Sequence, residues 1–129
     1  ACTDVTGFGL LGHLLEMVTA SGVAVELNLR AIPVLDGALA TVEKGILSTL
    51  HPENFRAAAQ IHNLAEVEKH PLFPLLFDPQ TAGGLLASVP PELANDFVGK
   101  LQSLGYHHSR IIGRVVSSQE GILPVRVVI

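Results

Sequence analysis

Gly7, Gly9 and Gly12 lie within T-D-V-T-G-F-G-L-L-G-H, residues 3–13, at the spacing G-x-G-x-x-G. That spacing lets a backbone approach the pyrophosphate of a dinucleotide. Glu26 follows Gly7 by 19 positions, about where a ribose-binding acid belongs in such a fold. The fold also requires a buried apolar strand running straight into the first glycine, and the residues here are Cys2-Thr3-Asp4-Val5-Thr6. Asp4 and Thr6 suit a central parallel strand poorly, and an unscreened carboxylate three residues before the glycines repels a pyrophosphate. Dinucleotide binding is therefore set aside. A carboxylate beside a glycine-flexed turn has another use, because it binds Mg²⁺, and Mg²⁺ binds phosphate oxygens. The plainer alternative is that Asp4 or Thr6 caps a helix while the glycines allow it to pack closely. Spacing alone favours this last reading.

Other constellations are weaker. Gly99-Lys100 has Ala94 where a P-loop needs glycine and Leu101 where it needs Ser or Thr, so Lys100 reads as a surface residue. The six histidines form no H-E-x-x-H pattern, and a single cysteine, Cys2, permits neither an internal disulfide nor a cysteine-based zinc site. Ser88 lies in an apolar run and not in a G-x-S-x-G elbow, leaving acyl transfer without a nucleophile.

The elements that position these residues follow from periodicity. Leu10, Leu11, Leu14, Leu15 and Val18 predict a helix over 8–21, stopped by Ser21-Gly22, which puts the glycines at its N-terminus. Alternation of Val23, Val25, Leu27 and Leu29 predicts a strand over 23–29. A short helix is expected near 34–44. Another starts at Pro52 with Phe55, Ala58, Ala59, Ile61 and Ala65 on its apolar side, and the intervening 45–51 loop carries its own apolar anchors. Pro71, Pro74 and Pro79 break up 70–84, which ends D-P-Q-T-A-G-G. A strand over 85–89 follows, then a helix from Pro90-Pro91-Glu92 with Leu93, Phe97, Val98, Leu101 and Leu104 on one face, ended by Gly105. Residues 111–128 read as a terminal β-hairpin. The order predicts an α+β fold, a sheet covered by helices.

At 129 residues the chain is the size of one domain, 1–129. Its 48% apolar and 16% charged residues and mean hydropathy of +0.43 are those of a core-rich globular protein. Eight basic residues are scattered among twelve acidic ones for a net charge of −4, which argues against nucleic acid as a partner. No apolar run reaches the roughly 20 residues of a membrane span, so a cytoplasmic location without membrane contact is expected. The chain starts at Ala1 and its motif starts almost at once, which suggests a piece of a longer protein.

Residues 3–13 together with Asp78-Pro79-Gln80-Thr81-Ala82-Gly83-Gly84-Leu85-Leu86 resemble the C-terminal domain of the selenophosphate synthetase (selenide, water dikinase) family. The likeness extends from residue 1 to the C-terminus. Ala82 stands where that family usually has serine, and S-T-L-H-P-E-N, 48–54, matches its more glycine-rich loop loosely apart from Asn54. The resemblance implies the C-terminal-domain fold of the aminoimidazole-ribonucleotide-synthetase-like superfamily, a mixed, partly ferredoxin-like sheet covered by helices. It further implies a two-domain, dimeric, ATP-dependent enzyme that turns ATP, selenide and water into selenophosphate, AMP and phosphate with Mg²⁺. The reactive Cys or selenocysteine, the essential Lys and most nucleotide contacts belong to the family's N-terminal domain, so no catalytic residue is expected in this chain and the fragment alone should be inactive. Cys2 is not that thiol. Asp4 matches the aspartate that completes a Mg²⁺ site between the two domains. Thr6, Gly7, Gly9, Thr81, Gly83 and Gly84 are possible cleft-lining residues, with a simple tight turn an equal account of the second motif. A sister synthetase or maturation protein, or a non-catalytic structural domain, are the alternatives.

Overall fold

The computed structural model describes all residues, 1–129. Ten helices and strands follow one another as β1 (Cys2–Asp4), α1 (Gly9–Ser21), β2 (Ala24–Asn28), α2 (Ala38–Glu43), α3 (His51–Asn54), α4 (Leu64–Val67), β3 (Leu85–Ala87), α5 (Ala94–Ser103), β4 (Gly113–Val116) and β5 (Val125–Val128). Short 3-10 turns lie between them, notably at Phe55–Gln60 and Phe73–Phe77. The α+β expectation holds, and the strands form two sheets: a three-stranded sheet in the order β4-β2-β5, and a separate ribbon of β1 and β3.

The terminal hairpin expected over 111–128 does not form. β2 lies between its two arms, antiparallel to β4 and parallel to β5, so the sheet is mixed. Burial explains the order. Val25 and Leu27 of β2 and Val125 and Val127 of β5 point into the core, and pairing those strands directly keeps the apolar set on one face. Gly113 lies opposite Leu27, where an added Cβ would strike the Glu26 carbonyl, so β4 approaches β2 more closely than a side chain there would permit.

β1 is a strand that periodicity did not reveal. It pairs antiparallel with β3, Cys2 opposite Ala87, Thr3 opposite Leu86 and Asp4 opposite Leu85. Leu86 and the following Val5 are buried, while Asp4 and Leu85 are exposed. Asp4 thus occupies a two-stranded edge, and the objection to it in a central parallel strand stands.

The core is one cluster of 16 buried apolar residues, and its bulkiest members are Phe73 and Phe77, 1% and 0% exposed. Both come from the proline-rich passage that promised only a turn. Pro74 breaks α-helical bonding, but a 3-10 turn sets Phe73, Leu76 and Phe77 inward. The two rings meet edge to face at 5.1 Å, a favoured aromatic geometry. Phe77 also packs on Phe55 at 4.9 Å.

The helix expected from Pro52 breaks into α3, a 3-10 turn and α4, with Ile61 bridging to Val125 between them. Ala58 and Ile61 are buried as expected, but Phe55 is half exposed and Ala65 is exposed. Ile46, Leu47 and Leu50 do not anchor their loop, for all three face solvent. The helix near 34–44 shrinks to α2, with Gly37 at its N-cap in a left-handed conformation that precludes an earlier start. α5 forms where expected, yet none of its residues is buried.

Candidate functional site

α1 begins at Gly9 against the floor of the molecule. Gly9 has φ +69°, and a Cβ there would lie 2.8 Å from the carbonyl carbon of Phe77. Only glycine satisfies both demands. The glycine pattern therefore serves helix docking at its second position. Gly7 differs, since nothing lies within 4 Å of its would-be Cβ and its φ is not in the left-handed region.

Neither Asp4 nor Thr6 caps the helix. The N-cap position is Phe8, without a side-chain cap, and the Gly9 N–H is satisfied by the Thr6 carbonyl at 3.1 Å. Capping, the plainer account of both residues, is excluded. The Asp4 carboxylate instead stands exposed at the end of β1, and it takes part in no side-chain hydrogen bond or ion pair. Thr6 Oγ1 lies 3.0 Å from His13 Nε2, and His13 Nδ1 lies 3.1 Å from Glu16 Oε2.

The two glycine-containing segments come together. The Val5 N–H donates to the Gly84 carbonyl at 2.9 Å and the Gln80 N–H to the Thr6 carbonyl at 3.0 Å. An added Cβ on Gly83 would collide with the Val5 carbonyl, so glycine is required at that position for the turn to lie across Val5 and Thr6, whereas Gly84 meets open space. Thr81 is exposed at the tip of that turn. The backbone N–H groups of Gly83 and Gly84 find no acceptor within the chain, leaving two donors free beside the ribbon that carries Asp4. Ala82 sits at φ +54°, the one non-glycine residue with positive φ.

A third segment closes the site. Asn54 of α3 donates through Nδ2 to the carbonyls of Gly7 at 2.8 Å and Phe77 at 3.0 Å. Beside it opens a cleft of about 380 Å³, with Gly7, Phe8 and Gly12 on one side and Leu50, Glu53 and Asn54 on the other. The Glu53 carboxylate is held by Arg56 at 2.7 Å. His13 closes the first motif and Glu53 lies in the 48–54 loop, yet neither is assigned a role from the sequence, because their roles depend on contacts that only the fold creates.

The chain matches the model of the AIR synthase related protein, C-terminal domain, over residues 1–126. It belongs to that family. Among relatives of this AIR synthase related domain is "Selenide, water dikinase" of Clostridioides difficile (strain 630), 37% identical over 123 residues, which are 95% of this chain and 35% of the relative. "Selenide, water dikinase 2" of Peptoclostridium acidaminophilum is 40% identical over 118 residues, 92% of this chain and 34% of the relative. "Selenide, water dikinase" of Caldanaerobacter subterraneus subsp. tengcongensis is 39% identical over 126 residues, 98% and 36%. The chain thus spans about a third of the length of the curated relatives it matches.

For a domain of this family the remaining sequence candidates resolve simply. Glu26 is bound to Arg114, its Oε1 accepting from Nη2 at 2.7 Å and Nε at 3.2 Å, and is committed to the sheet, not to a ribose. Cys2 is exposed. No group of three or more His, Cys, Asp or Glu side chains gathers as a metal cage. Where the two glycine segments meet, the chain offers the Asp4 carboxylate, a half-buried hydroxyl and unpaired amides. Mg²⁺ is commonly bound by one or two carboxylates and otherwise by water and phosphate oxygens, so Asp4 fits as one member of a shared set and not as a complete site. No helix is long and apolar enough to cross a membrane.

Proposed function

We propose that this chain is the C-terminal domain of an ATP-dependent selenophosphate synthetase, which converts ATP, selenide and water into selenophosphate, AMP and phosphate. Its contribution is Asp4, a ligand to Mg²⁺ in a cleft shared with an N-terminal domain of the same polypeptide. The observation that carries this reading is the Asp4 carboxylate, exposed and without a partner at the end of β1. It sits where two glycine-rich segments converge, in a chain similar to selenide, water dikinases. Carboxylates far from any cation or amide are common on surfaces, but β1 is fixed on one side by β3 and on the other by the Thr6–Gln80 contact, so this one is held in place.

Bound Mg²⁺ would neutralise phosphate charge and hold the triphosphate in register. The residues of this chain do the rest of what is assigned to it. Asp4 would supply an anionic oxygen, and the unpaired Gly83 and Gly84 amides, with Thr81, would serve as donors for phosphate oxygens in the cleft shared with the N-terminal domain. The Val5–Gly84 and Gln80–Thr6 hydrogen bonds hold these groups next to one another. Because a lone carboxylate binds Mg²⁺ weakly, occupancy would depend on closure against the N-terminal domain's carboxylates. The isolated domain would have no activity, and the full-length enzyme would work as a cytoplasmic homodimer. Capping no longer competes for Asp4, which weighs against the purely structural alternative.

The test is Asp4→Ala in the full-length enzyme, followed as selenide-dependent ATP hydrolysis and by circular dichroism. Activity should fall below detection with the spectrum and melting temperature unchanged. Near-normal turnover would refute the assignment.

A further inference from the structure

His13 is one of two buried polar residues, 6% exposed, and nothing assigned so far uses it. Its ring is held at both nitrogens, by Thr6 Oγ1 at Nε2 and by Glu16 Oε2 at Nδ1, with the Phe8 ring centroid 5.3 Å away. An ionised carboxylate only accepts hydrogen bonds. In the neutral ring the proton therefore belongs on Nδ1, facing Glu16, since the other tautomer would set a nitrogen lone pair against the carboxylate. Nε2 is then an acceptor, and the Thr6 hydroxyl must turn its proton inward to meet it.

That fixes what Thr6 shows to its other side. The Thr6 main chain cannot swing, because its carbonyl accepts from both Gly9 and Gln80. Val5 is buried, Asp4 at the end of β1 is exposed, and Thr6, two residues on, is half-buried. With its proton committed to His13, Thr6 Oγ1 has only lone pairs left to offer. The geometry points to His13 as a positioning residue that holds Thr6 Oγ1 as an acceptor beside Asp4, a second oxygen for a hydrated divalent cation or a water it carries. This rests on the reading of Asp4 as a cation ligand.

The experiment uses the 129-residue chain, nitrogen-15 NMR of its histidines in mildly alkaline buffer, and Mn²⁺ as a paramagnetic probe. The expected spectrum shows His13 as the Nδ1–H tautomer, and Mn²⁺ broadens the Asp4 amide and Thr6 methyl signals with one dissociation constant. His13→Phe, which keeps a ring against Phe8, should weaken Mn²⁺ binding about threefold to tenfold, as should Thr6→Val, which lacks only the hydroxyl. His13→Gln, whose amide oxygen replaces the Nε2 acceptor, should restore binding to within about twofold of the original. An Nε2–H tautomer overturns the inference, and so does Mn²⁺ affinity unaltered in Thr6→Val. The latter result decides the matter even if His13→Phe fails to fold, and it leaves the Asp4 assignment standing. No broadening at Asp4 in the unsubstituted chain overturns the inference, while the Asp4 assignment itself stands or falls with Asp4→Ala in the full-length enzyme.

Discussion

Asn54 donates a hydrogen bond from its side-chain amide to the carbonyl of Gly7 at 2.8 Å, across 47 positions of sequence. The same amide nitrogen reaches the Phe77 carbonyl at 3.0 Å, so one side chain ties the glycine turn to the aromatic floor beneath it. Neither carbonyl belongs to a regular helix or strand ladder, and each would otherwise lack this partner.

Asn54→Ala removes both bonds and leaves two partly buried carbonyls to find water. At about 1 kcal/mol for each bond, the loss of stability should be about 2 kcal/mol, read as a lower urea midpoint at unchanged slope. Asn54→Asp should be at least as harmful, since a carboxylate places acceptors against acceptors. A midpoint unmoved by either substitution would show that Asn54 does not organise the turn.

Gly9 and Gly7 should respond oppositely to the same methyl group. Gly9→Ala forces a left-handed φ on alanine and drives its Cβ against the Phe77 backbone, which should cost about 3 kcal/mol or more. Gly7→Ala meets open space and should stay within about 0.5 kcal/mol of the parent, as surface substitutions do. Thermal denaturation of the two variants side by side reads the difference, and equal effects would contradict the packing described for α1.

Ala82 should be a site of gain. Its φ of +54° costs an L-residue about 1–2 kcal/mol, of which glycine's extra chain entropy returns about 0.5–1 kcal/mol. Ala82→Gly should therefore raise stability by about 0.5–1 kcal/mol. A drop in the denaturation midpoint would mean that the Ala82 methyl makes a compensating contact.

The elements legible in the sequence were those whose period matched their burial. α1 has Leu11, Leu14 and Val18 buried at helical spacing, and β2 alternates Val25 and Leu27 inward; both were foreseen nearly to the residue. β1 was missed because three residues are too short for a period, and its partner β3 lies more than eighty positions away. The final hairpin was misread because Ile111–Val116 and Ile122–Val128 are each apolar enough to pair. Nothing local says that β2 inserts between them. The long helix from Pro52 failed because Ile61 is claimed by a bridge to Val125, a tertiary contact that overrides helical spacing. At the site, the motifs left open whether the 78–84 turn lies beside Asp4 and whether Asp4 or Thr6 caps a helix; the Val5–Gly84 and Gln80–Thr6 bonds and the geometry of Phe8 and Gly9 answer those points. His13 was invisible as a site residue, since an isolated histidine on an apolar face is usually core.

The β1–β3 ribbon and the β4-β2-β5 sheet share no ladder, yet Val5 and Leu86 belong to the same apolar cluster as Val25 and Val127. The joint between the arm bearing Asp4 and the main body is thus interlocking hydrocarbon, closed at its end by a few side-chain bonds, Thr6 to His13 and Asn54 to the Gly7 carbonyl. Hydrocarbon surfaces alone slide at little cost, so it is these few bonds that clamp the arm to the body and keep the carboxylate's aim.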